Sequence, residues 1–257
     1  MYGLTHLGLV TAACCAEQFD VVAIGTPAIV VEPGLDELLA RVEQTTDLEA
    51  ASGADVLWIC FDTPVDENDN SDVAFVTDRI TSACSIIAPE TLILISSQVP
   101  VGTCAVLERT NPRHRFAMAP ENLRRGNAVS DFRNMTRVVI GSRERSALLE
   151  ELFAPFAAEI LWMSPESAEM VKHALNGFFA ISVCYANELG DICANVGADM
   201  ADVTRGLRSD PRIGPRAYLR AGEAYTGGTL GRDVVTLTTV GDGPLIAAIK
   251  PSNDRHL

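Results

Sequence analysis

Gly3-Leu4-Thr5-His6-Leu7-Gly8 stands at the head of the chain and runs into an apolar helical stretch, Leu9 to Glu17. Gly-x-Gly-x-x-Gly in such a place is a dinucleotide fingerprint. Its glycines make the tight turn, admit a pyrophosphate to the backbone and let the helix pack closely. Two of the three glycines are present, and Thr5 fills the middle place. A Cβ there crowds the pyrophosphate, although the hydroxyl has the chemistry to donate to a phosphate. Only Met1 and Tyr2 precede Gly3, so the strand that feeds such a turn is expected to be missing, as if translation had been started downstream of its true site. The next strand ends in Gly25, where an acidic residue would grip an adenosine ribose. Lys172 also stands out, because it and Lys250 are the only lysines among twenty basic residues. Asn176 follows one helical turn later, which puts both on one helix face.

These residues need a scaffold, and the first two-thirds of the chain describe one. Asp20–Ile24, Ala54–Cys60, Thr91–Ser96, Phe116–Ala119 and Arg137–Gly141 are short, nearly continuous apolar runs, separated by helical segments such as Asp72 to Ile87. That alternation predicts a Rossmann-like, doubly wound parallel sheet of the α/β class, covered on both faces. From Ser164 the texture changes to one long helix, residues 164–197, with no internal proline. A second helix, Met200 to Leu207, and a Gly/Pro-rich loop from Asp210 to Gly231 follow. Residues 1–162 are therefore expected to form the sheet domain and 163–257 a helical one.

At 47% hydrophobic, the 257 residues can fill a sizeable core, which excludes wholesale disorder. A net charge of −14 argues against a nucleic-acid partner. No apolar run approaches the length of a membrane helix, and the start lacks a basic region and a cleavage pattern, so neither membrane insertion nor export is expected. The seven cysteines contain no CxxC pair and no histidine companions at zinc spacing. They read as buried thiols in a reducing cytoplasm, with no metal site.

Longer strings carry a resemblance. Val31-Glu32-Pro33-Gly34-Leu35-Asp36-Glu37-Leu38-Leu39, Val99-Pro100-Val101-Gly102-Thr103 and Ala119-Pro120-Glu121-Asn122-Leu123-Arg124-Arg125-Gly126 with Ala128-Val129-Ser130-Asp131-Phe132 come first. Ser167-Ala168-Glu169-Met170-Val171-Lys172 with Asn176, then Asp210-Pro211-Arg212-Ile213-Gly214-Pro215-Arg216, complete the series. In this order the chain resembles the UDP-glucose/GDP-mannose 6-dehydrogenase family over nearly its whole length. The resemblance implies an NAD-binding Rossmann domain followed by a helical dimerisation domain, and a homodimer through the long helix. It also implies an enzyme that oxidises a sugar's primary alcohol in two hydride transfers to NAD, with a cysteine thiolate capturing the aldehyde. Relatives hold the nucleotide mainly with a third domain. The chain stops near the end of their central one, so half of a nucleotide-sugar pocket is expected to be lacking.

Carried over residue by residue, Lys172 and Asn176 match the family's lysine and asparagine, Glu121 its glutamate and Asp233 its aspartate. Counting back from Asp233 puts Thr229 where the cysteine belongs. A threonine hydroxyl stays protonated at neutral pH with no evident base beside it, so the reaction is expected to stop after two electrons. Gly3, Thr5, Leu7, Gly8, Thr63 and Pro64 are the expected cofactor contacts. Leu123, Arg212, Arg216, Tyr225, Gly227 and Gly228 are the expected substrate contacts. Gln98 and Arg125 replace a threonine and a glutamate of the family pattern, and the chain between Ile24 and Glu32 is shorter than that pattern. Plainer roles stand beside these: Asp233 as a helix cap before Val234, Glu121 tied to Arg124 or Arg125, Arg212 or Arg216 holding helices together, His6 and His173 incidental. Three functions remain open: a two-electron NAD-dependent oxidoreductase acting on a nucleotide sugar or another alcohol, a repurposed non-redox enzyme using Lys172, Asp233 and Glu121 for acid–base chemistry, or an inactive dimeric binding partner.

Overall fold

Residues that alternate between two apolar faces build the central sheet, and the computed structural model describes them and every other residue except Asn68, Asn122 and Gly227. The chain divides into two units, residues 1–64 with 72–172, and residues 65–71 with 173–257.

In the first unit the strands are β1 (Val22–Ile24), β2 (Glu43–Thr45), β3 (Val56–Ile59), β4 (Leu92–Ile95), β5 (Arg115–Met118), β6 (Val138–Gly141) and β7 (Ile160–Met163). The helices are α1 (His6–Cys15), α2 (Leu35–Leu39), α3 (Val73–Cys84), α4 (Thr103–Thr110), α5 (Ala128–Arg133) and α6 (Ala147–Phe153). β1 pairs with β2, and β3 to β7 lie side by side in sequence order. The pairs are parallel except β5–β6, which meet antiparallel at Met118 and Gly141. Leu92 and Leu94 pack on one face with α1, α5 and α6 residues such as Val10, Phe132 and Phe153. Ile93 and Ile95, pointing the other way as successive strand residues must, pack with Val76, Ile80 and Leu107 of α3 and α4. The doubly covered sheet expected from the sequence is thus present.

The lane between β1 and β3 is not empty. The Tyr2 N–H donates to the Trp58 carbonyl at 2.8 Å, the Gly3 N–H to Ile24 at 3.0 Å and the Cys60 N–H to Tyr2 at 2.8 Å. Met1 and Tyr2 therefore hold the place of a central strand for two residues and join the two parts of the sheet. The Met1 ammonium sits inside this lane and donates to the Val22 carbonyl at 2.7 Å. Burial lowers its pKa below the ordinary 8.0. Beyond it lies a cavity of about 770 Å³ whose walls include Met1, Val22, Ala54, Leu57 and Leu152.

The long helix α7 (Pro165–Val196) starts with proline in its first turn, where the missing N–H costs nothing, and Ser164 Oγ accepts from the Ser167 N–H at 3.2 Å. Its first two turns belong to the sheet unit, where the buried Glu169 carboxylate accepts from the Gly102 N–H (2.5 Å) and the Cys104 N–H (2.8 Å) at the head of α4. The remainder of α7 forms the second unit with α8 (Met200–Ser209), α9 (Gly228–Val240), α10 (Pro244–Ala247) and α11 (Ile249–Asp254). Asp199 caps α8 by accepting from the Ala201 N–H at 2.7 Å. Ala180, Cys184, Val234 and Ile249 form this unit's small core. The loop expected to reach Gly231 ends sooner, because α9 begins at Gly228. Asp233 consequently lies inside α9 rather than capping it.

Candidate active site

The fingerprint turn is built around its two glycines. Gly3 has φ +98°, and a Cβ on it would meet the Phe61 ring at 2.8 Å. A Cβ on Gly8 would overlap the Gly3 carbonyl oxygen outright. The turn thus closes onto α1 as tightly as the motif demands, and this cradle fits a dinucleotide's pyrophosphate at the helix head. α1 has no side-chain cap, and its first intrahelical bond runs from the Leu9 N–H to the Thr5 carbonyl at 2.9 Å. Thr5 does not offer its hydroxyl to a phosphate. Oγ1 donates instead to the Cys60 carbonyl at 2.9 Å, which ties the turn to the end of β3. Leu7 is buried beneath the turn in the core. Thr63 is also buried, its Oγ1 donating to the Gln98 carbonyl at 2.5 Å, whereas Pro64 is exposed and its carbonyl accepts from the Asp72 N–H at 2.8 Å.

Glu32 underpins this region, although the sequence offered it only as part of a motif. Its side chain is 1% exposed. Oε1 accepts from the Ala128 N–H at 2.7 Å, and Oε2 from the Gly126 N–H at 2.9 Å, with His6 Nε2 at 3.0 Å. Burial pushes the carboxyl pKa up, but the bonds from His6, Gly126 and Ala128 together outweigh it and hold it below the ordinary value. His6, read as incidental, is therefore part of a clasp joining α1 to the approach to α5.

Lys172 reaches the segment after β5. Its Nζ donates to the Glu121 carbonyl at 2.6 Å and stands 3.6 Å from Glu121 Oε1. Glu121 Oε2 accepts from the Leu123 N–H at 2.6 Å, so the carboxylate is fixed from both sides. Arg124 is engaged elsewhere, in a two-pronged pair with Asp131.

In the helical unit Asp233 is fully buried. His173 Nδ1 lies 2.8 Å from Oδ1, and the Asn176 side-chain amide donates to Oδ2. Sequence reasoning missed His173, since its partner lies sixty residues away and only the fold brings them together. Thr229 is exposed in the first turn of α9. Gly228 begins that helix, and Gly227 lies outside the described residues. A Cβ on Gly231 would collide with the Asp69 carboxylate, which therefore seats directly against this first turn. Tyr225 is tied through its backbone to the Asn253 side chain at 3.0 Å. Burial, with the charges of Cys184, Asp254 and Asp69, pushes its phenol up to about 12. Arg212 pairs locally with Asp210 at 2.6 Å and, like Arg216, is exposed, so Arg212 does not pin helices together. Among the described residues no cluster of three His, Cys, Asp or Glu side chains could hold a metal. Among the described residues, no helix is long and apolar enough to cross a membrane.

Residues 1–157 match the family model described as the UDP-glucose/GDP-mannose dehydrogenase family, NAD binding domain, and residues 166–254 match that family's central domain. The chain belongs to this family. It is 34% identical over 294 residues to a UDP-glucose 6-dehydrogenase of Pseudomonas aeruginosa, covering 99% of this chain and 64% of that protein. It is 31% identical over 287 residues to one of Bacillus subtilis, covering 99% of this chain and 62% of that one. The structure of a UDP-glucose dehydrogenase from the archaeon Pyrobaculum islandicum superposes with a TM-score of 0.88 at 26% identity, covering 99% of this chain and 67% of that chain. The chain thus spans a little under two thirds of the length of those two curated relatives.

Proposed function

We propose that this family member is an NAD-dependent oxidoreductase that carries an alcohol to an aldehyde and stops there. Residues 1–162 hold the cofactor and residues 163–257 form the helical pairing domain. The observation that carries the reading is the fingerprint turn, whose glycines leave no room for any other residue at positions 3 and 8. Bound NAD supplies the hydride acceptor. Lys172, fixed by the Glu121 carbonyl, steadies the alkoxide, while the alcohol's proton passes to solvent. In the helical unit Asp233, held by Asn176 and His173, is the acidic residue to which we assign a catalytic role. Thr229 takes no part as a nucleophile: a cysteine would add to the aldehyde and permit a second hydride transfer, and an exposed threonine hydroxyl does not. The substrate is a nucleotide sugar or a related primary alcohol. Cofactor contacts are assigned to Gly3, Leu7, Gly8, Thr63 and Pro64, with Thr5 contributing backbone only. Substrate contacts are assigned to Leu123, Arg216, Tyr225 and Gly228.

Incubation with NAD and UDP-glucose, with product trapping, tests the reading. One NADH per sugar and a trapped aldehyde are expected. Two NADH per sugar and a carboxylate would contradict the two-electron limit.

The protein also pairs with a second copy through α7. Phe178, Tyr185 and Ile192 recur at two-turn intervals and stay 63%, 53% and 56% exposed, a stripe of large apolar side chains on one helix face. Seven free, buried cysteines suit a reducing cytoplasm.

A further inference from the structure

We infer that the cofactor site does not discriminate between NAD and NADP, so the 2′-phosphate of NADP is admitted where related folds exclude it. The inference rests on the NAD reading above and concerns the adenosine side of the same site. In a fingerprint of this kind the selecting residue stands at the end of the strand after α1. An acid there takes the ribose hydroxyls and repels a 2′-phosphate, whereas an arginine takes the phosphate.

Here β1 ends at Ile24 and the next residue is Gly25, held at φ +135° with its N–H donating to the Thr45 carbonyl at 2.8 Å. Gly25 stands directly against the fingerprint: a Cβ on it would lie 3.6 Å from the Leu4 backbone nitrogen and 3.9 Å from Gly3 Cα. The place is therefore the selecting one, and it carries no side chain. Thr26 and Pro27 follow, both exposed, and no ionisable residue occurs before Glu32. Glu32 cannot substitute. Both its oxygens are taken by Gly126, Ala128 and His6, and its side chain is buried. From Gly25 to Val31 the chain thus supplies neither the carboxylate that repels a 2′-phosphate nor the cation that would demand one, and Asp47, two residues past the Thr45 that Gly25 bonds, accepts from the Glu49 N–H at 3.0 Å. The remaining bias is the overall charge of −14, which acts at long range. At physiological ionic strength the screening length is about 8 Å, so that bias is largely removed.

The test is equilibrium titration of the whole chain with NADH and with NADPH in such salt, followed by nicotinamide fluorescence. Dissociation constants within about tenfold of each other are expected, and NADH binding more than about tenfold tighter would overturn the inference. If neither binds to folded protein, the NAD reading itself fails, and the inference with it. Two variants at the exposed Thr26 locate the effect without touching the strained glycine. Thr26→Asp should weaken NADPH by about tenfold or more relative to NADH, and Thr26→Arg should shift the ratio the other way. A ratio unmoved in both variants would overturn the assignment of this corner as the selecting one.

Discussion

Replacing Glu32 should loosen the sheet unit by an amount the clasp geometry sets. Its carboxylate accepts from two backbone N–H groups, one of them on the fully buried Ala128, and lies 3.0 Å from His6 Nε2. Glu32→Ala leaves the Gly126 and Ala128 N–H groups without acceptors. At roughly 1–3 kcal/mol for each orphaned donor, with a small void added, the loss should be about 3–5 kcal/mol. Glu32→Gln keeps the shape and one accepting oxygen but turns an NH2 group toward a donor, so about 2–3 kcal/mol is expected. For a unit of this size that corresponds to a melting temperature lower by roughly 4–12 °C. The assay is thermal unfolding by circular dichroism at neutral pH and at a series of lower pH values. Because the folded carboxyl pKa lies below its ordinary 4.5, the wild-type advantage is fully present above pH 4.5 and is lost as pH falls through the folded value. The gap between wild type and Glu32→Gln should therefore shrink progressively as pH falls below 4.5. A Glu32→Gln protein within about 0.5 kcal/mol of wild type at neutral pH, or a gap that does not shrink in acid, would refute the reasoning.

Two further outcomes follow from the structure. Gly8→Ala puts a methyl into the Gly3 carbonyl oxygen and should cost at least about 3 kcal/mol, or abolish soluble protein, by urea titration; near-wild-type stability would mean that the turn is not as tight as described. Tyr185→Glu should convert a dimer into a monomer in sedimentation, with the helical content of the chain kept, whereas a dimer of unchanged mass would remove α7 as the pairing face.

The sequence made the sheet legible wherever apolar residues run without a break. β3, β4 and β6 fall inside the segments expected, β5 is shifted by one residue from its own, and α7 lies within one residue of its expected ends. β2 escaped because Glu43-Gln44-Thr45 has no apolar run: it is an edge strand, paired on one side by β1 and left largely exposed. The head of α9 was read as loop because glycine is the poorest helix former after proline, yet tertiary packing against Asp69 keeps Gly228 and Gly231 in the helix. Lys172 and Glu121 were readable from their motifs, and the structure brings them together. The His6–Glu32 and His173–Asp233 pairs were not readable, because each partner's role is set by a contact distant in sequence. Thr5 was read with its hydroxyl available to a phosphate; only the fold shows that hydroxyl spent on Cys60.

The proposed function stands or falls with the fingerprint turn holding a nicotinamide dinucleotide, although Thr5 and Gly25 replace residues the motif normally supplies. Titration calorimetry of the folded chain with NADH tests it most directly. A saturable, one-to-one binding heat is expected, abolished in a folded variant carrying a bulky residue at Thr5, such as Thr5→Arg. A flat trace from well-folded wild-type protein would contradict it.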